Sequence, residues 1–458
     1  MVNGGIARLH ALYLSGERSP VEVAEDHLAL AADVGARLNA FTLIAGDQAR
    51  AEARASAERY GRGEALSALD GVPVSVKDNM HVAGLGTTCG SAAADRRPAR
   101  RDAAVVARLR ALGAVIIGKT NLLEYAFGVV HPDFGPVHNP WDLDRSAAGS
   151  SSGSAAAVAA GIGLAAVGTD TAGSVRWPAA LCGTIGLKPT YGSLPVAGVV
   201  PLAPTLDHVG LLARTVEDTR LLYDALCERR SASVGSRPLR LGVVDLGRVA
   251  PAVAAATADV LARLGREGVE LVPLSPFPWR EGDAAALALI AAEALEVHAR
   301  RLGEHWPAYS PAMRTGLVAG AVVSGADYVR ALRLRESLRA RWRDLLREEA
   351  VDAAIGPTLP CTAPPEGDPW PAEEAADGVA IGAYTSVYAL LGVPAISVPV
   401  ALDPDGLPIG VQVAAAEGED GTALVVAYRI EAGRGPWPWP PHGSDPLARL
   451  GDGAEAPA

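Results

Sequence analysis

The sequence predicts an α/β protein in which a mixed sheet is covered by helices within a single large domain, and three observations carry that reading. Amphipathic helical stretches are followed by short apolar runs of strand length, the order expected where helices cover a sheet. The chain has 458 residues, a length that admits either about three ordinary domains or one large α/β domain with insertions. No internal repeat divides it.

Ser19-Pro20-Val21-Glu22 is a capping box with proline at the first helical position, and Val21, Ala24, Leu28 and Ala31 follow at helical spacing. From Asp102 a second amphipathic helix carries Val105, Val106, Leu109 and Leu112, stops at Gly113 and hands over to an apolar strand at 114–117. The same order returns at 251–264 and 269–274. Further strand-like runs lie at 72–76, 164–168, 239–245, 353–356, 394–400 and 409–413. Residues 1–70 read as an N-terminal helical part and 71–432 as the core. A helical variable region at about 284–349 ends in the charged run 333–349, a solvated helix face. The Pro- and Gly-rich tail 433–458 is expected to be poorly ordered.

A net charge of −11 argues against direct nucleic-acid binding, which needs a concentrated basic face. Cys89, Cys182, Cys227 and Cys361 show no metal-type spacing, so they read as isolated thiols in a reducing compartment, with cytoplasm expected. No metal or cofactor is implied. Residues 1–15 lack a basic segment followed by an apolar core, so no secretory signal is visible. The uncharged run between Arg145 and Asp170 is mostly Ala, Gly and Ser, too weakly apolar for a membrane span.

Among 41 lysines and arginines only Lys77, Lys119 and Lys188 are lysine. Arginine cannot deprotonate in a protein, whereas a buried lysine can be shifted down to act as a base. A chain that otherwise writes arginine therefore marks places where a compact amine is needed, unless composition bias spared the three. All three lie in one glycine- and serine-rich stretch, which also contains Gly149-Ser150-Ser151-Ser152-Gly153-Ser154. That segment leads into the helix former 155–160, so a flexible linker is disfavoured, and no P-loop lysine follows it. Gly149-x-Ser151-x-Gly153 fits a nucleophile elbow in pattern, but an elbow follows a hydrophobic strand and 139–146 is not one. A second cluster, Gly168-Thr169-Asp170-Thr171-Ala172-Gly173-Ser174-Val175-Arg176, is a strand end running into small residues. Small residues let backbone N–H groups converge, so Ser174 can be a nucleophile, with His131, His138, His208 or Lys77 as candidate bases.

These segments resemble the amidase signature enzymes. Residues 149–154, 168–179, Cys182-Gly183 and Gly186-Leu187-Lys188-Pro189-Thr190 are similar to the family signature in unbroken order. Lys77-Asp78-Asn79, Gly118-Lys119-Thr120-Asn121 and Gly392-Val393-Pro394-Ala395-Ile396-Ser397 fit its flanking motifs, so the resemblance covers roughly 15–430. It implies an amide hydrolase with Ser174 as nucleophile, Ser150 as bridging serine after a cis peptide, and Lys77 as base. The backbone N–H groups of Thr171, Ala172, Gly173 and Ser174 would hold the oxyanion. Asp170 and Arg176 would fix the loop, and Lys119 and Lys188 would be structural. For Lys77 to act as a base its amine must be neutral, which at pH 7 costs about 4.6 kcal/mol from the free-lysine reference. Burial must supply that shift.

Tyr125, Phe127, Phe134 and Trp177 fall near the presumed pocket and favour an apolar or aromatic acyl side, unless they are core. His208 stands where some relatives carry glutamine, with approach to the site and a structural role both open. Ala147-Ala148 replace a common Pro-Gly, Ser152 a common glycine, and Ala172 the first glycine of the usual Gly-Gly-Ser. The expected partner is a small-molecule amide, with a homodimer allowed. The alternatives are an allophanate-type hydrolase of a urea-derived carboxylate, or the glutamine-using subunit of a tRNA-dependent amidotransferase, where a partner would bring the tRNA. A scaffold without activity is the remaining class.

Overall fold

Ser19 closes its capping box: its hydroxyl accepts the Val21 N–H at 3.2 Å, and Glu22 accepts the Ser19 N–H at 2.9 Å. In this computed structural model, which describes residues 5–227, 238–245, 247, 249–367 and 382–447, that box starts the second helix. The chain opens with α1 (Gly5–Ser15), α2 (Pro20–Arg37), β1 (Phe41–Ile44), α3 (Gly46–Arg62), β2 (Pro73–Lys77), α4 (Ala104–Ala111) and β3 (Val115–Thr120). A ribbon of β4 (His138–Asn139) and β5 (Asp142–Ser146) precedes α5 (Ser152–Ala159), β6 (Ala165–Asp170), α6 (Arg176–Cys182), β7 (Ile185–Lys188) and β8 (His208–Ala213). Next come α7 (Val216–Leu226), β9 (Arg240–Val243), α8 (Pro251–Arg266) and β10 (Glu270–Pro273). The helices α9 (Trp279–His298), α10 (Leu302–His305), α11 (Pro311–Ala321) and α12 (Gly325–Glu348) are followed by β11 (Ala353–Pro357). Finally α13 (Ala383–Leu391), β12 (Ala395–Leu402), β13 (Pro408–Ala415) and α14 (Asp420–Arg434) complete the described order.

Eleven strands form one mixed sheet in the order β1-β3-β2-β6-β8-β7-β12-β13-β11-β9-β10. Both flanks contain parallel pairs, β3-β2-β6 and β11-β9-β10, while the centre is antiparallel. Alternation along each strand divides the core between the two faces. Ile116, Ala165, Val167 and Leu211 join one cluster, which includes Leu9, Leu109, Leu222 and Ile430 from helices. Val115, Ile117, Ala166 and Leu212 point the other way, into a cluster with Leu28, Ala49 and the alanines of α5. With both faces covered, β2, β3 and β6 are buried throughout, which is why they read as continuous apolar runs. Every residue of α5 is buried too, and its small side chains let it lie close: a Cβ on Gly153 would sit 2.4 Å from the Ala40 carbonyl oxygen.

Three expectations change. Residues 1–70 are not purely helical, because β1 pairs antiparallel with β3 and extends the main sheet by an edge strand. Residues 142–146 do form a strand, β5, but in a two-stranded ribbon outside the main sheet. The tail is anchored as far as it is described: Arg214 lies over the Trp439 ring at 3.5 Å and Leu447 is buried in the core, while 448–458 lie outside the described residues. The charged run falls on α12, which buries Ala331, Leu338, Trp342, Leu345 and Leu346 and leaves its arginines at the surface or in ion pairs. No helix among the described residues is long and apolar enough to cross a membrane.

Candidate active site

Because β2 and β6 are parallel neighbours with Val76 opposite Val167, their C-terminal ends lie side by side. This places Lys77, the last residue of β2, beside Thr169 and Asp170 at the end of β6. The Lys77 Nζ lies 2.8 Å from Ser150 Oγ and 2.8 Å from Thr169 Oγ1, with the Thr169 carbonyl oxygen at 3.5 Å. Asn79 Nδ2 donates to the same Thr169 hydroxyl at 3.1 Å. Lys77 is fully buried, and burial pushes its amine down to about 7 against the pull of Asp170 and Asp207.

The other two lysines are buried as completely. Lys119 Nζ meets Asp78 Oδ1 at 2.6 Å and donates to the Gly86 carbonyl and the Thr87 hydroxyl. Lys188 donates to the carbonyls of Val393 and Pro189, and burial, then Arg176, pushes its amine down to about 7. Neither lies against Ser150 or Ser174, and both tie loops to the sheet.

Ser150 follows a cis peptide from Gly149 and begins the approach to α5. Ser174 sits just before α6, half-buried, and its carbonyl accepts the Ser151 N–H at 3.0 Å, which binds the two serine segments together. Ser151 itself is fully buried and donates its hydroxyl to the Thr169 carbonyl at 3.1 Å. It is not among the residues lining the cavity described below.

The loop 171–175 is held by Asp170, whose carboxylate takes the N–H groups of Gly173 at 2.8 Å and Val175 at 3.2 Å and a two-pronged contact from Arg176. Burial alone would raise that carboxyl, but Arg176 outweighs it and holds Asp170 well below the usual carboxylate range. Gly173 has a φ of +131°, and a Cβ there would fall 2.3 Å from Thr385 Oγ1 and 2.5 Å from Trp177, so no other residue fits. Its N–H, counted with the oxyanion donors by resemblance, is instead given to Asp170. The N–H groups of Thr171, Ala172 and Ser174 meet no acceptor among the described residues. Behind them Asp207 accepts the Thr171 hydroxyl at 2.6 Å and the N–H groups of Leu202 and Ala203, and burial raises its carboxyl to about 6.

Ser150, Thr171, Ala172, Gly173 and Ser174 line one end of a cavity of about 370 Å³. Phe127, Val130, Trp177, Leu202, Leu287 and Ile290 form apolar walls, and Pro365 and Glu366 lie at an exposed edge. The sequence of this chain matches the family model described as Amidase over residues 22–424.

The chain belongs to the amidase family.

As an amidase it is an enzyme of a class that hydrolyses carbon–nitrogen bonds. It is 36% identical to a subunit of the glutamyl-tRNA(Gln) amidotransferase of Anaeromyxobacter sp. (strain K), over 92% of this chain and 94% of the relative. It is also 36% identical to the AtzE subunit of the 1-carboxybiuret hydrolase of Pseudomonas sp. (strain ADP), over 90% and 94%. A crystal structure of an amidase superposes with a TM-score of 0.86 at 36% identity, covering 93% of this chain and 99% of that one.

Of the residues expected at the amidase pocket, Phe127 and Trp177 line it. Trp177 is fixed there by its Nε1–H, which donates to Thr385 Oγ1 at 2.6 Å. Tyr125 does not line it: the ring is buried against His298 and Tyr309. Phe134 packs against His131 and under Arg96. His208 is buried on β8 beside Asp170, with Nδ1 against the Leu206 and Asp170 carbonyls and its ring against Tyr191. Burial holds His208 neutral, well below the ordinary histidine range, and it has no face on the cavity. Leu287, Ile290 and Glu366 escaped sequence reasoning because they lie in segments without a motif.

Proposed function

We propose that this enzyme hydrolyses small-molecule carboxamides through Ser174, Ser150 and Lys77, by way of an acyl-enzyme. One observation carries the reading: a fully buried lysine amine, displaced to about 7, lies 2.8 Å from a serine that shares the cavity floor with Ser174. A neutral amine has two N–H groups and one lone pair. With its N–H groups given to the Thr169 hydroxyl at 2.8 Å and carbonyl at 3.5 Å, the lone pair is left for the Ser150 hydroxyl.

As Ser174 Oγ attacks the amide carbon, its proton passes to Ser150 while the Ser150 proton passes to Lys77. The N–H groups of Thr171, Ala172 and Ser174 receive the oxyanion, in positions fixed before the reaction by the Asp170 and Thr385 contacts. The ammonium of Lys77 then returns the proton through Ser150 to the leaving nitrogen. Ammonia or an amine departs, and water repeats the proton route in freeing the acid.

Purified chain supplied alone with aryl and aliphatic amides, with ammonia detection and fluorophosphonate labelling, tests this. Turnover by the single chain with label on Ser174 is expected. Both relatives named above are parts of larger enzymes by name, which favours a second reading in which activity needs a partner. Activity appearing only after a second chain is added would establish it.

A further inference from the structure

The described wall of the cavity above Ser174 offers a substrate one ionisable side chain, and it is a carboxylate. Among the described lining residues no lysine, arginine or histidine appears, and Glu366 is the one acid. Arg145, next in sequence to the lining residue Ser146, is occupied elsewhere: it pairs with Asp142 and Asp405 and donates to the Ala363 carbonyl. The remaining wall around Phe127, Trp177, Leu202 and Ile290 is apolar.

A carboxylate brought into such a space loses hydration and gains no cation in return, and sites that select carboxylates supply arginine for that purpose. The backbone of Glu366 is tied down, its N–H donating to the Asp144 carbonyl at 2.9 Å, which holds this exposed residue at the cavity lining. Burial raises its carboxyl, while a hydrogen bond from Ser146 opposes the shift.

Resting on the Ser174 reading, we propose that the enzyme selects amides with an apolar or aromatic body and no carboxylate, and that Glu366 accepts a hydrogen bond from an amine or other N–H donor at the far end of the substrate. This separates its substrates from glutamine and from urea-derived carboxylates, both of which carry a carboxylate that no described lining residue neutralises.

Three amides of one shape test the proposal: 4-methyl-, 4-aminomethyl- and 4-carboxymethyl-phenylacetamide, compared by kcat/KM at pH 7.5. The aminomethyl compound is expected to match or exceed the methyl compound, and the carboxymethyl compound to fall at least tenfold below it, mainly through KM. Glu366→Gln should remove the aminomethyl advantage, and Glu366→Arg should raise the carboxymethyl value, with thermal midpoints reporting folding. Equal or better turnover of the carboxymethyl compound by protein that loses activity in Ser174→Ala overturns the proposal while sparing the serine reading. So does a failure to turn over any of the three by protein whose Ser174 is labelled. Turnover of the methyl compound that survives Ser174→Ala overturns both.

Discussion

Thr169 and Lys77 meet at the ends of neighbouring parallel strands, with Thr169 Oγ1 2.8 Å from the lysine nitrogen and held from its other side by Asn79. In the proposed mechanism the contact orients the amine: with its N–H groups given to Thr169, the lone pair is left for Ser150. Thr169→Val keeps the shape and removes the acceptor. We expect kcat to fall about ten- to hundredfold, the rate equivalent of roughly 1.5–3 kcal/mol, with little change in KM. Steady-state kinetics on one aryl amide measure the split, and an unchanged kcat would show that Thr169 does not orient the amine.

Ser174→Ala removes one oxygen from a half-buried position and should abolish turnover with the fold intact, as circular dichroism would report. A fluorophosphonate should label Ser174. Label on Ser151, whose hydroxyl is buried and bonded to Thr169, would revive the elbow pattern.

Sequence patterns located the strands that carry this site and missed others for identifiable reasons. β2, β3 and β6 are buried on both faces, so their apolar runs stand out. β1 is four residues long and only half-buried, and β7 is equally short, leaving little periodicity to read. Lys77 stood out as one of three lysines, the serines in small-residue clusters, and their roles were implied by resemblance; such signals report position along the chain. Which way a side chain faces is a matter of three-dimensional packing. Hence Tyr125 and His208 were placed near the pocket although one packs against His298 and the other against Tyr191. Glu366 lies after β11 in a segment with no recurring pattern, and only the folded chain brings it to the cavity.

Ala148 occupies a left-handed conformation, φ +56°, at a position where the resembling enzymes commonly place glycine. The conformation costs an L-residue roughly 1–2 kcal/mol, and the greater unfolded-state freedom of glycine offsets part of the relief that it brings. Ala148→Gly should therefore stabilise the fold by up to about 1 kcal/mol in urea unfolding. Destabilisation would mean that the methyl group's packing outweighs the strain.

Burial lowers Lys77 from 10.5 to about 7, and the shift has a signature in stability. Between those pH values the unfolded chain binds a proton that the folded chain lacks, so folding stability rises with pH, by about 1.4 kcal/mol per unit from this group. Below pH 7 the full cost of burying the charge remains. Lys77→Met carries no such term, so its stability relative to wild type should be greatest near pH 6 and decline from pH 7 to 9. A difference that stays constant over that range would place the folded-state pKa elsewhere.

The most direct test is the activity of Lys77→Arg beside Lys77→Ala, each checked for folding by its unfolding midpoint. Arginine keeps the positive charge but cannot become neutral at working pH, so a site that needs a base gains nothing from it. Lys77→Arg is expected to be as inactive as Lys77→Ala, and the wild-type rate to rise with pH through about 7 as the amine loses its proton. Substantial amide hydrolysis by folded Lys77→Arg would contradict that expectation and leave Lys77 a charge beside the serines instead of their base.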